Sequence, residues 1–314
     1  MTEPPALTAA DDLLHEPPTN DRWWAETYWF SFDQPGENIS ATIYPVFRKN
    51  LGICSLGVFV WDPSAHEPWA LLYGRNYWSL PMPTMPTTAL RLEGLSYDCL
   101  EPLNRYRVRY SEPGMCELDL EYTGLRDPHV ASAGEKFGHF DQPCKVIGTL
   151  DVRGRKVAID TIGMRDRTWS VRPEDKRGTG TAYTYGHSGA DEQFLLLTSL
   201  DGNFGKFVSY VFTGYLVRDG IHSPLVDSQR EVVERVDNYP TRLRISATDA
   251  LGRTMTAEGR TVNRIASQST PAQFAWMSMT EWTTDRGPMI GEDQEVWSPD
   301  NLGPVLRALN TGTV

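Results

Sequence analysis

Short runs of β-branched and aromatic residues, many alternating apolar with polar, recur along the chain with turn residues between them. This is the pattern of strands in an all-β sandwich or barrel. Strands are predicted over residues 25–33 (AETYWFSFD), 38–47 (NISATIYPVF), 52–62 (GICSLGVFVWD), 69–78 (WALLYGRNYW), 90–100 (LRLEGLSYDCL), 104–112 (NRYRVRYSE) and 116–125 (CELDLEYTGL). The breaks QPGE, RKN, DPSAHEP and SEPG each carry Gly, Pro or Asn where the backbone must turn. A hairpin follows, KVIGTLDV-RGR-KVAIDTIGM (145–164), with Gly154 at a turn position suited to positive φ. The second half continues in the same style through TAYTYGHS, EQFLLLTSL, FVSYVFTGYLVRDG, REVVERV and the hairpin TRLRISAT-DALGR-TMTAEGRTVNRI, ending with FAWMSMTEWTTDRG and EDQEVW. TLDVRGRKVAID and SATDALGRTMTAEG both read strand, small polar turn, strand, which suggests a duplicated β module. Helix signals are few: TAADDLLHE near the start, and the stretch after Ser298, where Ser-Pro-Asp supplies an N-cap, a first-turn proline and a first-turn carboxylate.

Length turns this pattern into an architecture. A chain of 314 residues reads as two domains of roughly 150 residues each, and a core of that size needs no disulfide staples. The 10 Trp, 13 Tyr and 11 Phe with 26 Gly and 22 Pro enrich strand formers and turn residues and argue against a helical bundle. We therefore expect an all-β protein of two tandem antiparallel barrel or sandwich modules with few short helices. The expected domains are 1–175 and 176–314, the second closed by a short helix, with the polar PEDKRGTG stretch from Pro173 to Gly180 as linker.

Charge and processing signals narrow the partners. The net charge of −11 repels a phosphate backbone, so no nucleic-acid partner is expected. The opening MTEPPALTAADDLLHEPPTND lacks a basic region followed by an apolar one, and no stretch approaches the roughly 18 apolar residues of a membrane span. A cytoplasmic protein without an integral membrane segment is expected. Cys54, Cys99, Cys116 and Cys144 show no C-x-x-C spacing and read as reduced and buried. Asn38-Ile39-Ser40 fits a glycosylation sequon, but without a secretory signal it reads as coincidence. Nothing in the sequence sets an oligomeric state.

The segment most unusual in composition is IGMRDRTWSVRP (162–173), where Arg165, Asp166, Arg167 and Arg172 surround Trp169. Two readings stand side by side. One is a surface Asp–Arg pair capping the hairpin; the other is a functional constellation, because buried charge gives little net stability. Asp166 is expected to pair with at least one of these arginines and to join the two halves. His139 and Asp141 in FGHFDQP alternate with Phe140 and would share a strand face as an acid–base pair. As a metal pair they lack a third ligand at readable spacing, so no metal is expected. GHSGA (186–190) resembles a nucleophile elbow, but Ala190 replaces its last glycine and the following residues read as a strand, which removes a serine hydrolase. Tyr183, Tyr185 and His187 alternate along one strand, lining an interior or packing as aromatic core. Trp23, Trp24, Tyr28, Trp29, Tyr77 and Trp78 are core candidates, some of them candidates to line an apolar pocket. No dinucleotide or P-loop signature occurs, so cofactor-independent action is expected.

IDTIGMRDRTWSVRP resembles the G-x-R-D-H-S-W-G-x-R phrase of the hydroxyneurosporene synthase (carotenoid 1,2-hydratase) superfamily, whose AttH-like members are tandem lipocalin-like barrels. ETYWFSFDQP, GHFDQPCKVIGTLDVRGR, GYLVRDG (214–220) and DQEVW look like the same superfamily's landmarks in the same order, so the resemblance spans nearly the whole chain. Arg165, Asp166, Trp169 and Arg172 match the motif; Arg167 stands where the family commonly has His, and Ser170-Val171 replaces its Gly-containing ending. The resemblance implies a bacterial lipocalin-like protein whose partner is a hydrophobic terpenoid, steroid or polyketide-like small molecule. The implied chemistry is that of a lyase or isomerase, hydratase or dehydratase in type, working by general acid–base catalysis. A pericyclase of the Diels–Alderase kind and a non-enzymatic carrier of hydrophobic ligands are the alternatives. An apolar pocket suits the first reading because it keeps a carboxyl protonated, while Trp and Tyr faces stabilise a cation. Asp166, His139, Asp141 and His187 are the candidate acid–base groups. Tyr28, Trp78, Trp169, Tyr183, Tyr185, Arg165 and Arg172 are the candidate ligand contacts.

Overall fold

The computed structural model describes residues 6–84, 88–173, 180–200, 208–270 and 273–311. The PEDKRGTG stretch read as a linker lies outside the described residues apart from its two ends. The chain forms two compact units, one of Met1–Trp61 and Leu71–Pro173, the other of Asp62–Ala70 and Glu174–Val314.

The first unit contains β1 (Trp24–Gln34), β2 (Ile39–Arg48), β3 (Ile53–Trp61), β4 (Tyr73–Pro81), β5 (Ala89–Leu92) and β6 (Leu95–Glu101). It continues with β7 (Arg105–Glu112), β8 (Cys116–Gly124), β9 (His129–Ala133), β10 (Phe137–Val152) and β11 (Arg155–Val171). These strands form one 11-stranded sheet in the order β4-β3-β2-β1-β11-β10-β8-β7-β6-β5, with β9 on β10. The sheet curls, so that the Tyr73 hydroxyl on β4 lies 2.5 Å from that of Tyr110 on β7, and Arg75 reaches Glu112 at 2.6 Å.

The second unit is a closed barrel of β12 (Gly180–His187), β13 (Gln193–Leu200), β14 (Val208–Arg218), β15 (Ile221–Val236), β16 (Tyr239–Asp249), β17 (Thr254–Thr270), β18 (Gln273–Thr284) and β19 (Gly287–Trp297). Antiparallel pairing of β12 with β19 closes it. A helix, α1 (Pro299–Thr311), follows, its start capped where the Asn301 amide donates to the Ser298 hydroxyl. The fold is thus the all-β, lipocalin-like architecture expected. Among the described residues no helix is long and apolar enough to cross a membrane.

Burial follows residue type. On β8, Cys116, Leu118, Leu120 and Tyr122 point into the core while Glu117, Asp119 and Glu121 turn outward, the alternation of a strand wet on one face. β1 is buried along both faces over ten of its eleven positions, Thr27 and Ser31 on one side as fully as Tyr28 and Phe30 on the other. Cys54, Cys116 and Cys144 are buried and Cys99 partly so, all as free thiols.

Three elements differ from the sequence reading. The single strand over 90–100 is a hairpin, β5–β6, because Glu93 and Gly94 both take positive φ (42° and 83°) and reverse the chain. The strand over 69–78 starts only at Tyr73, and Trp69, 83% exposed, belongs with the second unit. The helix signal in TAADDLLHE yields one 3-10 turn, Ala9–Asp12, because the Asp12 side chain turns into the sheet interior.

Candidate functional site

β10 and β11 extend through the motif segment as a ladder from Phe137↔Ser170 to Val152↔Arg155, and β1 covers the other edge of β11 from Trp24↔Val171 to Phe32↔Gly163. Directly paired residues share a face and neighbours along a strand do not. The motif is therefore split into two chemically different rows.

The inward row carries Arg165, Arg167 and Trp169. Arg165 is fully buried, pairs with the Asp12 carboxylate, donates to Tyr106 Oη (2.6 Å) and Gln142 Oε1 (3.1 Å), and lies 4.0 Å over the Tyr106 ring. Arg167 donates to Glu26 Oε2 (2.7 Å) and the carbonyls of Asp12 (2.7 Å) and Leu13 (3.1 Å), its guanidinium 3.7 Å over the Tyr28 ring. The Trp169 indole donates to the Gly134 carbonyl (2.9 Å) and clusters with Trp24 and Phe140. Arg165, Trp169 and Tyr28, the candidate ligand contacts on these strands, thus stand in the packed interior. Arg167, where the related motif has His, serves there as an anchor for the segment preceding β1.

The outward row carries Asp166, Thr168 and, just past the strand, Arg172. The register sets Asp166 opposite both Asp141 on β10 and Trp29 on β1, and Asp141 opposite His129 on β9. His139 Nδ1 lies 2.7 Å from the Thr168 hydroxyl. Its Nε2 lies 3.1 Å from Asp141 Oδ2, close enough for an ion pair although outside hydrogen-bond geometry. Asp141 is fully buried, His139 mostly buried and Asp166 partly exposed, with its Oδ1 buried and unbonded. Asp166 makes no ion pair with an arginine among the described residues: strand alternation turns Arg165 and Arg167 to the other face, where Asp12 and Glu26 take them.

The electrostatics follow from this placement. Burial, reinforced by the Asp141 charge, pushes the Asp166 carboxyl up to about 6, against the opposing pull of His139, Arg172 and Arg165. Burial alone would depress the His139 imidazole, but the Asp141 carboxylate beside it raises it on balance. Burial lowers the His129 imidazole, against the opposing pull of the Asp141 charge across the strand pair. The cluster therefore combines a carboxyl whose pKa is raised to about 6 with an imidazole made more basic by the buried Asp141 beside it. Among the described residues no group of three or more His, Cys, Asp or Glu side chains is arranged to hold a metal ion.

The remaining candidates lie elsewhere. Trp78 on β4 is 41% exposed. Tyr183, Tyr185 and His187 occupy β12 in the second unit, opposite Leu197, Leu195 and Gln193. They face away from the barrel core, which takes Phe194 and Leu196 from that neighbouring strand. Tyr185 and His187 are nonetheless buried, and Tyr185 Oη donates to Glu292 (3.5 Å). The sequence reading passed over His129, Thr168 and, as a site residue, Trp29. Only β-sheet register brings them to Asp166; the one local signal was the hydroxyl residue of the motif at Thr168.

The fold and this cluster define a class: a two-unit, lipocalin-like β protein with a cluster of titratable side chains, Asp166, Asp141, His139 and His129, on its first sheet. Residues 8–289 match the family described as Domain of unknown function (DUF7064), and the chain belongs to it. No curated protein matches the sequence. Among solved structures, the fold is similar to that of an AttH protein from Nitrosomonas europaea, with a TM-score of 0.63 and 14% identity over 87% of this chain and 91% of that one. It is also similar to kievitone hydratase from Nectria haematococca, with a TM-score of 0.57 and 13% identity over 93% and 95% of the two chains. The AttH-like resemblance read in the motif is thus found again in the fold.

Proposed function

We propose that the chain is a hydratase- or dehydratase-type lyase acting on a hydrophobic small molecule, with Asp166 as its acid and the Asp141–His139–Thr168 array as its support. The observation that carries this reading is the partly exposed Asp166 carboxyl, held protonated up to about pH 6 directly across the sheet from Asp141. In hydration, the Asp166 proton adds to one alkene carbon, water attacks the cationic carbon that remains, and the surplus water proton returns to the Asp166 carboxylate. Alkene and water become alcohol with no other reactant, and dehydration is the reverse. The Trp29 indole, on the same face by register, supplies a π surface for the cation. Fold similarity to a protein named for hydratase activity supports the class; the substrate class, terpenoid, steroid or polyketide-like, rests on the motif resemblance.

The test is incubation with a panel of such alkenes and tertiary alcohols in ¹⁸O-water, followed by mass spectrometry. A product heavier by labelled water, or lighter by water, is expected. Asp166→Asn should lower turnover at least about 100-fold while ligand affinity holds. An isomeric product would mean a cyclase or isomerase, and unchanged ligand a carrier; either outcome overturns the proposal.

A further inference from the structure

In the interior of the first unit, two buried arginines meet carboxylates of the chain itself, one of them delivered from outside the sheet. Two guanidiniums, Arg165 and Arg167, are fully buried beside the rings of Tyr106, Phe140 and Tyr28. They are balanced by two carboxylates. Glu26 belongs to the sheet. Asp12 does not: it sits on the 3-10 turn before β1, whose other residues are exposed or partly so. Its Oδ1 takes Arg165, and its Oδ2 accepts from the Tyr106 hydroxyl (2.5 Å) and the Leu103 amide (2.6 Å). A guanidinium, a hydroxyl and a backbone N–H converging on one planar group between aromatic walls is the chemistry of a carboxylate receptor.

The strap that delivers Asp12 is attached differently from the rest of the unit. Its backbone amides at Asp11 and Leu13 bond within the turn, to Thr8 and Ala10. Among the described residues, its polar ties to the sheet run through side chains. Arg167 donates to the Asp12 and Leu13 carbonyls, Lys49 to the His15 carbonyl (2.9 Å), and the His15 amide to Glu26 (2.9 Å). Leu14 anchors it in the core, while Leu7 packs on the Trp24–Phe140–Trp169 cluster and the His15 ring lies 4.5 Å from that of Trp169. Such a segment opens at lower free energy than a laddered strand, and each opening leaves one buried cation uncompensated.

We propose that this pocket is a carboxylate-binding site, and that the strap around Asp12 is a latch that a carboxylate-bearing ligand displaces. The site lies on the inward face of β11, so the inference stands apart from the chemistry assigned to Asp166 on the outward face.

Two measurements test it. In the first, Asp12→Ala is melted with increasing formate or acetate, with chloride and inorganic phosphate at matched ionic strength as controls. The variant should melt several degrees below the wild type and recover saturably with the small carboxylates alone. Asp12→Asn, which keeps the volume and loses the charge, serves if the alanine variant does not fold, and should respond in the same direction more weakly. In the second, hydrogen–deuterium exchange of residues 8–16 in the wild-type chain should be faster than that of β1 and β11, and faster still with added hexanoate. Absence of carboxylate-specific recovery, or a strap that exchanges only with global unfolding, overturns the proposal.

Discussion

A carboxyl such as Asp166, with Oδ1 buried and unbonded and another carboxylate across the sheet, resists ionisation because water no longer solvates its anion. The consequence is a cost to the fold. Its native pKa of about 6 stands above the ordinary 3.8, so the folded chain holds this proton more tightly than the unfolded one. Its contribution to stability is therefore complete below about pH 4 and lost as pH rises through about 6. Asp166→Asn mimics the protonated form at every pH. The variant should melt with the wild type at pH 3.5 and above it at pH 7.5, and parallel thermal scans decide this. A variant markedly less stable at pH 7.5 would mean that the ionised carboxylate has a stabilising partner after all. A second residue-scale expectation concerns Thr168, whose hydroxyl faces His139 Nδ1. Thr168→Val removes that partner while keeping the volume, so the pH profile of turnover should shift and the rate fall about tenfold, the scale of one misaligned hydrogen bond at about 1.4 kcal/mol.

At the scale of elements, strand spacing foretold most of the first sheet. NISATIYPVF became Ile39–Arg48, CELDLEYTGL became Cys116–Gly124, and the RGR turn closes β10 on β11 with Arg153 and Gly154 at φ 52° and 84°. What composition could not show was register. His139 and Asp141 declared a common face by alternation alone. Their meeting with Asp166 required Asp141↔Asp166 pairing, and Arg165 found its carboxylate 153 residues away in a segment read as helix. The GHF phrase has a steric meaning that is also invisible in sequence. A Cβ on Gly138 would lie 2.0 Å from the Trp169 indole, which is fixed by its bond to the Gly134 carbonyl. Gly138→Ala should cost about 1–3 kcal/mol or more through overpacking, whereas Gly36→Ala, with nothing within 4 Å, should be near neutral. Urea unfolding of both variants measures the difference, and a neutral Gly138→Ala would refute the close approach.

Across the whole molecule, the two units solve one electrostatic problem in two ways. In the first, two arginines alternate along β11 and meet Asp12 and Glu26. In the second, two acids alternate along β19, the DQEVW landmark, and meet arginines from β15 inside the barrel. Arg230 Nε and Nη2 donate to Asp293 (2.8 and 2.6 Å), Arg230 Nη1 to Glu295 (3.1 Å), and Arg235 to Glu295 (2.8 and 2.9 Å). Burial by itself would raise the Glu295 carboxyl; Arg235 and Arg230 instead hold it below its ordinary value of 4.5. The sign is opposite to that of Asp166: stability from Glu295 is present above about pH 4.5 and lost as pH falls through its lower native pKa. Glu295→Gln leaves the two cations short of one negative charge and should cost about 3–5 kcal/mol at pH 7, the range for breaking a buried pair. The neutral amide already resembles the acid form, so the gap to the wild type should narrow steadily below about pH 4. Thermal melts of the two chains from pH 7 to pH 3 measure it, and a gap that stays constant across that range would show that the Glu295 charge does not stabilise the barrel.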